Sequence, residues 1–368
     1  MKITRTFNRH KIRPITGLNG NWDFVVESEY KGKSQVPRSF NRSIYVPSVW
    51  ESIPGLETYR GRAWFRTGIT GNRQFNTRLV FAGVSHSAKV YVNGQQVGDH
   101  EDAFTPWDVV IPKGNVCDSE LIVEVDNSFG EHSALHIPND YYTYGGITRP
   151  VELQYVPDVF IEHVTAIPSQ SAKGWKLAVT VKLRNVCDSN LVRKVSVKLN
   201  GRDYDFGEVS VNAGERVSVK KTLDCPGVKE WSPKSPFLYF LTTSLSESDR
   251  VVDDLIERIG FRVIEVKGSK LLLNGEELLL RGYNRHEDHS RFGCAIPPEA
   301  MAHDIALLKD LGCNFVRTSH YPNDQRFLDM CDEMGICVWE ESHARTVNLR
   351  HPLFRKQITQ STCEMIEW

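Results

Sequence analysis

Arg281-Gly282-Tyr283-Asn284-Arg285-His286-Glu287-Asp288-His289 and, one helix later, Cys313-Asn314-Phe315-Val316-Arg317-Thr318-Ser319-His320-Tyr321-Pro322 decide the fold class of this chain. Leu278-Leu279-Leu280 leads into the first run, and both runs pass from an apolar start to a polar, histidine-bearing end. Two successive strands joined by a helix argue for a parallel sheet. In parallel α/β architectures, chemistry is placed at the C-terminal ends of the strands. These residues therefore form a candidate active-site wall.

The elements around the wall repeat the same alternation. Pro297-Pro298-Glu299 opens a helix, Met301, Ile305 and Leu308 give it an apolar face, and Gly312 closes it. A second helix begins near Asn323-Asp324, is expected to bury Phe327, Cys331 and Met334, and stops at Gly335. Strand Ile336-Cys337-Val338-Trp339 follows, then a third helix from near Pro352 through Ile358, Thr362 and Met365. Repeated βα units fit a barrel or a doubly wound sheet. No Gly-x-Gly-x-x-Gly or P-loop follows a strand, which disfavours a nucleotide-binding domain. A (β/α)₈ barrel takes about 250 residues and only about a hundred remain, so the chain is expected to stop in mid-domain at Trp368.

Upstream, the pattern is β throughout. Residues 1–157 carry short alternating runs such as Arg78-Leu79-Val80-Phe81 and Lys89-Val90-Tyr91-Val92, the latter closing on Asn93-Gly94, a hairpin signal. A two-sheet sandwich is the natural reading. Residues 158–262 alternate more regularly, as in Lys176–Leu183 and Lys194–Leu199, with Asn200-Gly201 as another hairpin turn. That spacing resembles an immunoglobulin-like sandwich. Residues 263–368 begin with a hairpin at Asn274-Gly275 and hold the βα units.

Composition narrows the function classes. At 368 residues, 40% hydrophobic, 25% charged and with net charge -1, the chain is an ordinary globular protein of several domains. Nothing points to nucleic acid or an anionic membrane as partner. The basic start, Met1 to Pro14, lacks the apolar core of a secretory signal, so a cytoplasmic location is expected. Eight scattered cysteines then read as reduced thiols, several within apolar runs, rather than a disulfide framework.

His286, Glu287, Asp288 and His289 stand close to His320, but the spacing is not that of a zinc-binding His-Glu-x-x-His helix, and no metal or other cofactor is expected. Arg317 suits an anion, or a neighbouring carboxylate. Glu340 and Glu341 form a possible acid/base pair. Adjacent strand residues point oppositely, so one of the two is expected to be structural. Tyr141, Tyr142 and Tyr144 beside Asp140 form either a packed turn or a sugar-recognition surface, since rings stack on pyranose faces while a carboxylate accepts hydroxyl protons.

Five motifs in order resemble glycoside hydrolase family 2, the β-galactosidase and β-glucuronidase group. They are Leu18–Phe24, Val90–Gly94, Gly145-Gly146-Ile147-Thr148-Arg149-Pro150-Val151, Gly282–Glu287 and Arg317–Pro322. The resemblance implies a jelly-roll sugar-binding domain, an immunoglobulin-like domain and a (β/α)₈ TIM barrel, here incomplete. It implies that Asp140 contacts substrate hydroxyls and that His286 and His320 line the sugar subsite; with Arg317 and Glu341 they make up the expected substrate-binding set. The implied reaction is retaining hydrolysis by two glutamates about 5–5.5 Å apart, both implied to lie beyond Trp368. The metal-dependent galactosidases carry Glu-x-His where this chain has Arg345 and Val347, neither suited to a hard cation. β-Glucuronidase is therefore the favoured expectation, with β-galactosidase as the alternative. For the 368 residues alone, a non-catalytic carbohydrate-binding module is the rival. A partial barrel leaves apolar faces uncovered, so a homo-oligomer is expected.

Overall fold

A computed structural model describes residues 4–30, 32, 36–172 and 174–368. Its first unit is a sandwich. One sheet orders Arg42–Val46, Gly20–Val26, Arg62–Thr70, Asp118–Asp126, Ser87–Val92 and Gln95–Glu101; the other orders Ile15–Gly17, Val151–Val156, Asn76–Phe81 and Trp107–Ile111. Period-2 alternation sends Phe24, Phe65, Leu79, Phe81, Val90, Leu121 and Val123 into the shared core. Asn93 and Gly94 both adopt positive φ, 49° and 81°, as the type I′ turn demands. Gly145 sits so close to Trp50 that an added Cβ would lie 2.0 Å from the indole ring, which fixes glycine at the root of the aromatic loop.

The second unit packs Val159–Ser171, Gly174–Asn185 and Arg216–Cys225 against a sheet of Arg202–Val211, Leu191–Leu199, Tyr239–Glu247 and Arg250–Ile259. Alternation again selects the core: Leu177, Val179, Val181 and Leu183 from one sheet meet Val195, Val197 and Leu199 from the other.

In the third unit, strands Gly282–Arg285, Phe315–Thr318 and Cys337–Trp339 pair in parallel, with Asn284 beside Arg317 and Arg317 beside Trp339. Helix Pro298–Asp310 buries Met301, Ile305 and Leu308, as its spacing predicts. Helix Gln325–Met334 is capped by Asp324, whose carboxylate accepts from the Arg326 backbone, and ends at Gly335 with φ 71°. It buries Phe327 and Cys331, but Met334 is 46% exposed, because it falls on the last turn just before the chain swings into the next strand. The third helix, Phe354–Glu367, departs further from expectation. Its buried residues are Gln357 and Ser361, while Ile358, Thr362 and Met365 are only partly covered. A polar stripe docks it on the first sandwich: Gln357 accepts from the Ala134 backbone, and Glu364 meets His100 at 3.1 Å and Thr105.

The basic start is not a loose tail. Arg5 bonds Asp329 of the second helix and Glu257 of the second sandwich, and Arg13 pairs with Asp253. Residues 4–13 thus clasp all three units. Of the cysteines, Cys225, Cys313, Cys331 and Cys337 are buried, while Cys117 and Cys363 are exposed. Among the described residues, no helix is long and apolar enough to cross a membrane.

Candidate active site

The parallel strands deliver their side chains alternately to the two sheet faces, and this separates the neighbours at each strand end. Arg285 turns toward the helices, with its guanidinium 4.0 Å from the Phe327 ring centroid and bonded to Asp304 and Asn323. His286, one residue on, faces the opposite side and is exposed. His320 joins it from the second strand, and the two rings stand edge to face with centroids 5.1 Å apart.

The loop carrying Asp140 and Tyr141 reaches these histidines from the first sandwich. The Tyr141 ring lies 6.0 Å from His286, 6.2 Å from His320 and 5.1 Å from Tyr321. Burial pushes the Tyr141 hydroxyl up to about 12, so it serves as a neutral donor at ordinary pH. Tyr144 donates to Asp288 at 2.7 Å, tying the same loop to the first strand end. The aromatic cluster is therefore a packed turn that stands against both histidines.

Asp140 is ion-paired. Arg345 donates to it through Nε at 2.8 Å and through Nη2, and this hydrogen bonding holds its carboxyl below the usual range. Sequence reasoning missed that partnership; Arg345 entered only as a residue unsuited to metal. Asn139 bonds the Arg345 backbone at 3.1 Å, so the contact fixes loop to loop.

Arg317 and Glu341 bind each other at 2.7 Å, and Glu341 also lies 3.1 Å from Nδ1 of His320. Arg317 Nη2 lies 3.1 Å from the same Nδ1, so the ion pair holds one edge of the imidazole and leaves the Nε2 edge for a ligand. Both residues thus stand beside the two histidines, and they contact His320 and each other. His286 is held below its usual pKa by burial and by the neighbouring His320.

Glu340 is the structural member of its pair, accepting from the Asn323 backbone at 2.9 Å. Burial raises its carboxyl from 4.5 to about 7. Its stabilising effect is therefore complete below pH 4.5 and is lost as pH rises through about 7. Glu340→Gln keeps the acceptor and cannot ionise. At pH 8 it is expected to exceed the parent by roughly 2–3 kcal/mol, and at pH 4.5 to match it, in paired denaturation curves. Equal stability at pH 8 contradicts this.

The acidic and histidine side chains that follow the first strand have protein partners. Glu287 pairs with Arg149, Asp288 with Tyr144, and His289 accepts from the Arg291 backbone. His10, Asp253 and Asp254 do bring donor atoms within 4.8 Å of one another. There, however, Arg13 engages Asp253, and the Lys11, Ile12 and Arg13 backbones engage Asp254.

Three family models match in chain order: glycosyl hydrolases family 2, sugar binding domain, over residues 52–157; glycosyl hydrolases family 2 over 159–262; and glycosyl hydrolases family 2, TIM barrel domain, over 264–365. The chain belongs to glycosyl hydrolase family 2. Its sandwich, sandwich and partial-barrel order is that family's architecture. It is similar to a β-galacturonidase from Eisenbergiella tayi solved with bound galacturonate, at 41% identity and a TM-score of 0.92, covering 99% of this chain and 64% of that one. It also resembles a Bacteroides uniformis β-glucuronidase, at 25% identity and a TM-score of 0.85, over 96% of this chain and 45% of that one. A β-galactosidase from Thermoanaerobacter pseudethanolicus is 31% identical over 354 residues, which is 89% of this chain and 46% of the relative. The chain spans less than half the length of the curated relatives it matches.

Proposed function

We propose that the complete protein is a retaining exo-β-glycosidase and that residues 1–368 supply its sugar-subsite wall, built from Asp140, Tyr141, His286 and His320. The observation that carries this is the meeting of the sandwich loop with the ends of two adjacent parallel strands. Imidazoles, a phenol and a carboxylate supply both donors and acceptors for ring hydroxyls, on rigid supports. The proton-transfer glutamates belong, in this reading, to barrel strands outside residues 1–368.

The sugar is proposed to be a uronide rather than a neutral galactoside. Arg345 engages Asp140 through Nε and Nη2, which leaves its Nη1 donors for a substrate carboxylate. The likeness to a structure holding galacturonate supports the same charge, and both glucuronide and galacturonide fit it.

The test is turnover of paired nitrophenyl β-glucuronide, β-galacturonide and β-galactoside. The complete protein is expected to favour a uronide, and the 368-residue polypeptide alone to turn over none of the three. A preference for the galactoside would overturn the uronide assignment. Heat-sensitive turnover by residues 1–368 would overturn the division of the site.

A further inference from the structure

Arg149 lies outside the subsite, yet it touches both strand ends that carry the histidines and the sandwich loop at Phe104. Its guanidinium is buried and donates from Nη1 to the Phe104 carbonyl at 2.5 Å, and from Nη2 to Glu287 Oε2 at 2.6 Å and to the Pro322 carbonyl at 2.7 Å. Glu287 is also buried, and its other oxygen accepts from the Asp324 backbone at 2.9 Å. One ion pair therefore grips the end of the first strand, next to His286, and the end of the second, two residues beyond His320. It grips them from the sandwich segment that also carries Asp140 and Tyr141.

The surroundings are built around this contact. Gly83 packs on the arginine stem, where a Cβ would meet Arg149 Cδ at 2.9 Å. Phe104 stacks on Tyr321 with centroids 4.3 Å apart and planes 9° from parallel. Tyr321 in turn accepts from the Glu287 backbone at 3.2 Å and packs beside Tyr141.

We propose that Arg149 is a positioning residue: its planar fork sets how far the Asp140–Tyr141 loop stands from His286 and His320, and so sets the shape of the sugar subsite. This rests on the glycosidase reading above. A buried ion pair is a poor source of stability, because desolvation of both charges offsets their attraction. What the fork supplies instead is direction. Three acceptors from three separate segments are held at fixed angles to one another, which a lysine ammonium does not reproduce.

The test uses the complete protein. Arg149→Met combined with Glu287→Leu removes both charges together, and Arg149→Lys keeps the cation without the fork. Both are expected to melt within about 5 °C of the parent and to lose about 10²-fold in kcat/KM on the preferred uronide, with kcat and KM both changed, because misplacement by about 1 Å is enough. A merely structural role would lower the melting temperature and leave both constants unchanged for the folded fraction. Amide exchange over residues 127–145 is a second readout that needs no turnover. Faster exchange there than elsewhere in the variants supports the proposal, even if the parent proves inactive on every uronide and the glycosidase reading fails. Unchanged exchange in that loop, or unchanged kinetic constants in an active protein, overturns it.

Discussion

Arg13→Ala is expected to cost roughly 3–5 kcal/mol of stability, the range for breaking one side of a buried ion pair. Arg13 and Asp253 are both 0% exposed and meet through two hydrogen bonds of 2.9 and 2.7 Å. The same guanidinium reaches Gln154 of the first sandwich at 2.9 Å and the Ile161 carbonyl of the second at 2.6 Å. Truncation leaves the Asp253 charge buried with the Ile161 amide as its remaining donor. Replacing both partners, Arg13→Met with Asp253→Leu, is expected to recover most of the loss, since no unpaired charge then remains. Urea denaturation of the three proteins checks this. A single substitution costing under about 1 kcal/mol would place the clasp among contacts of no consequence.

His320→Ala is expected to lower kcat/KM of the complete protein on its preferred glycoside by about 10²–10³-fold, the scale seen when one oriented transition-state contact is removed. The ring is held by Glu341, which Arg317 neutralises, and it is flanked by His286 and Tyr141. The ring packs against Tyr141 and His286 and lies outside the apolar core cluster of the partial barrel, so the melting temperature is expected to change little. Glu341→Gln keeps the acceptor and removes the charge, and it is expected to lose less than His320→Ala. Kinetics on both variants, with melting curves, check this order. A His320→Ala enzyme within threefold of the parent contradicts the role.

Much of this was legible in the chain because it is periodic or local. Alternation in Lys176–Leu183 marked a strand, and the Asn-Gly pairs marked turns whose positive φ the structure shows. Gly312 and Gly335 closed helices where the apolar spacing ended. His286 and His320 could be placed because strand ends are where a parallel sheet presents chemistry. What escaped was every pairing across long sequence separation. Nothing in the spacing of Arg345 joins it to Asp140, or of Arg149 to Glu287, because an ion pair leaves no period behind. The third helix misled for a related reason. Its apolar residues suggested a buried stripe, but Gln357 and Glu364 find polar partners on the sandwich, and those partners decide which face is covered. Arg317 and Glu341 were expected as ligand contacts, and the structure shows them bonded to each other and to His320.

In the proposed subsite, Asp140 and Arg345 together read a charged sugar. The most direct test is the ratio of kcat/KM for nitrophenyl β-uronide over β-galactoside, measured on the complete protein and its Arg345→Ala variant. Uronide turnover is expected to fall about 10²-fold while galactoside turnover changes little, so that the ratio collapses. A ratio left standing after the guanidinium is gone would contradict it.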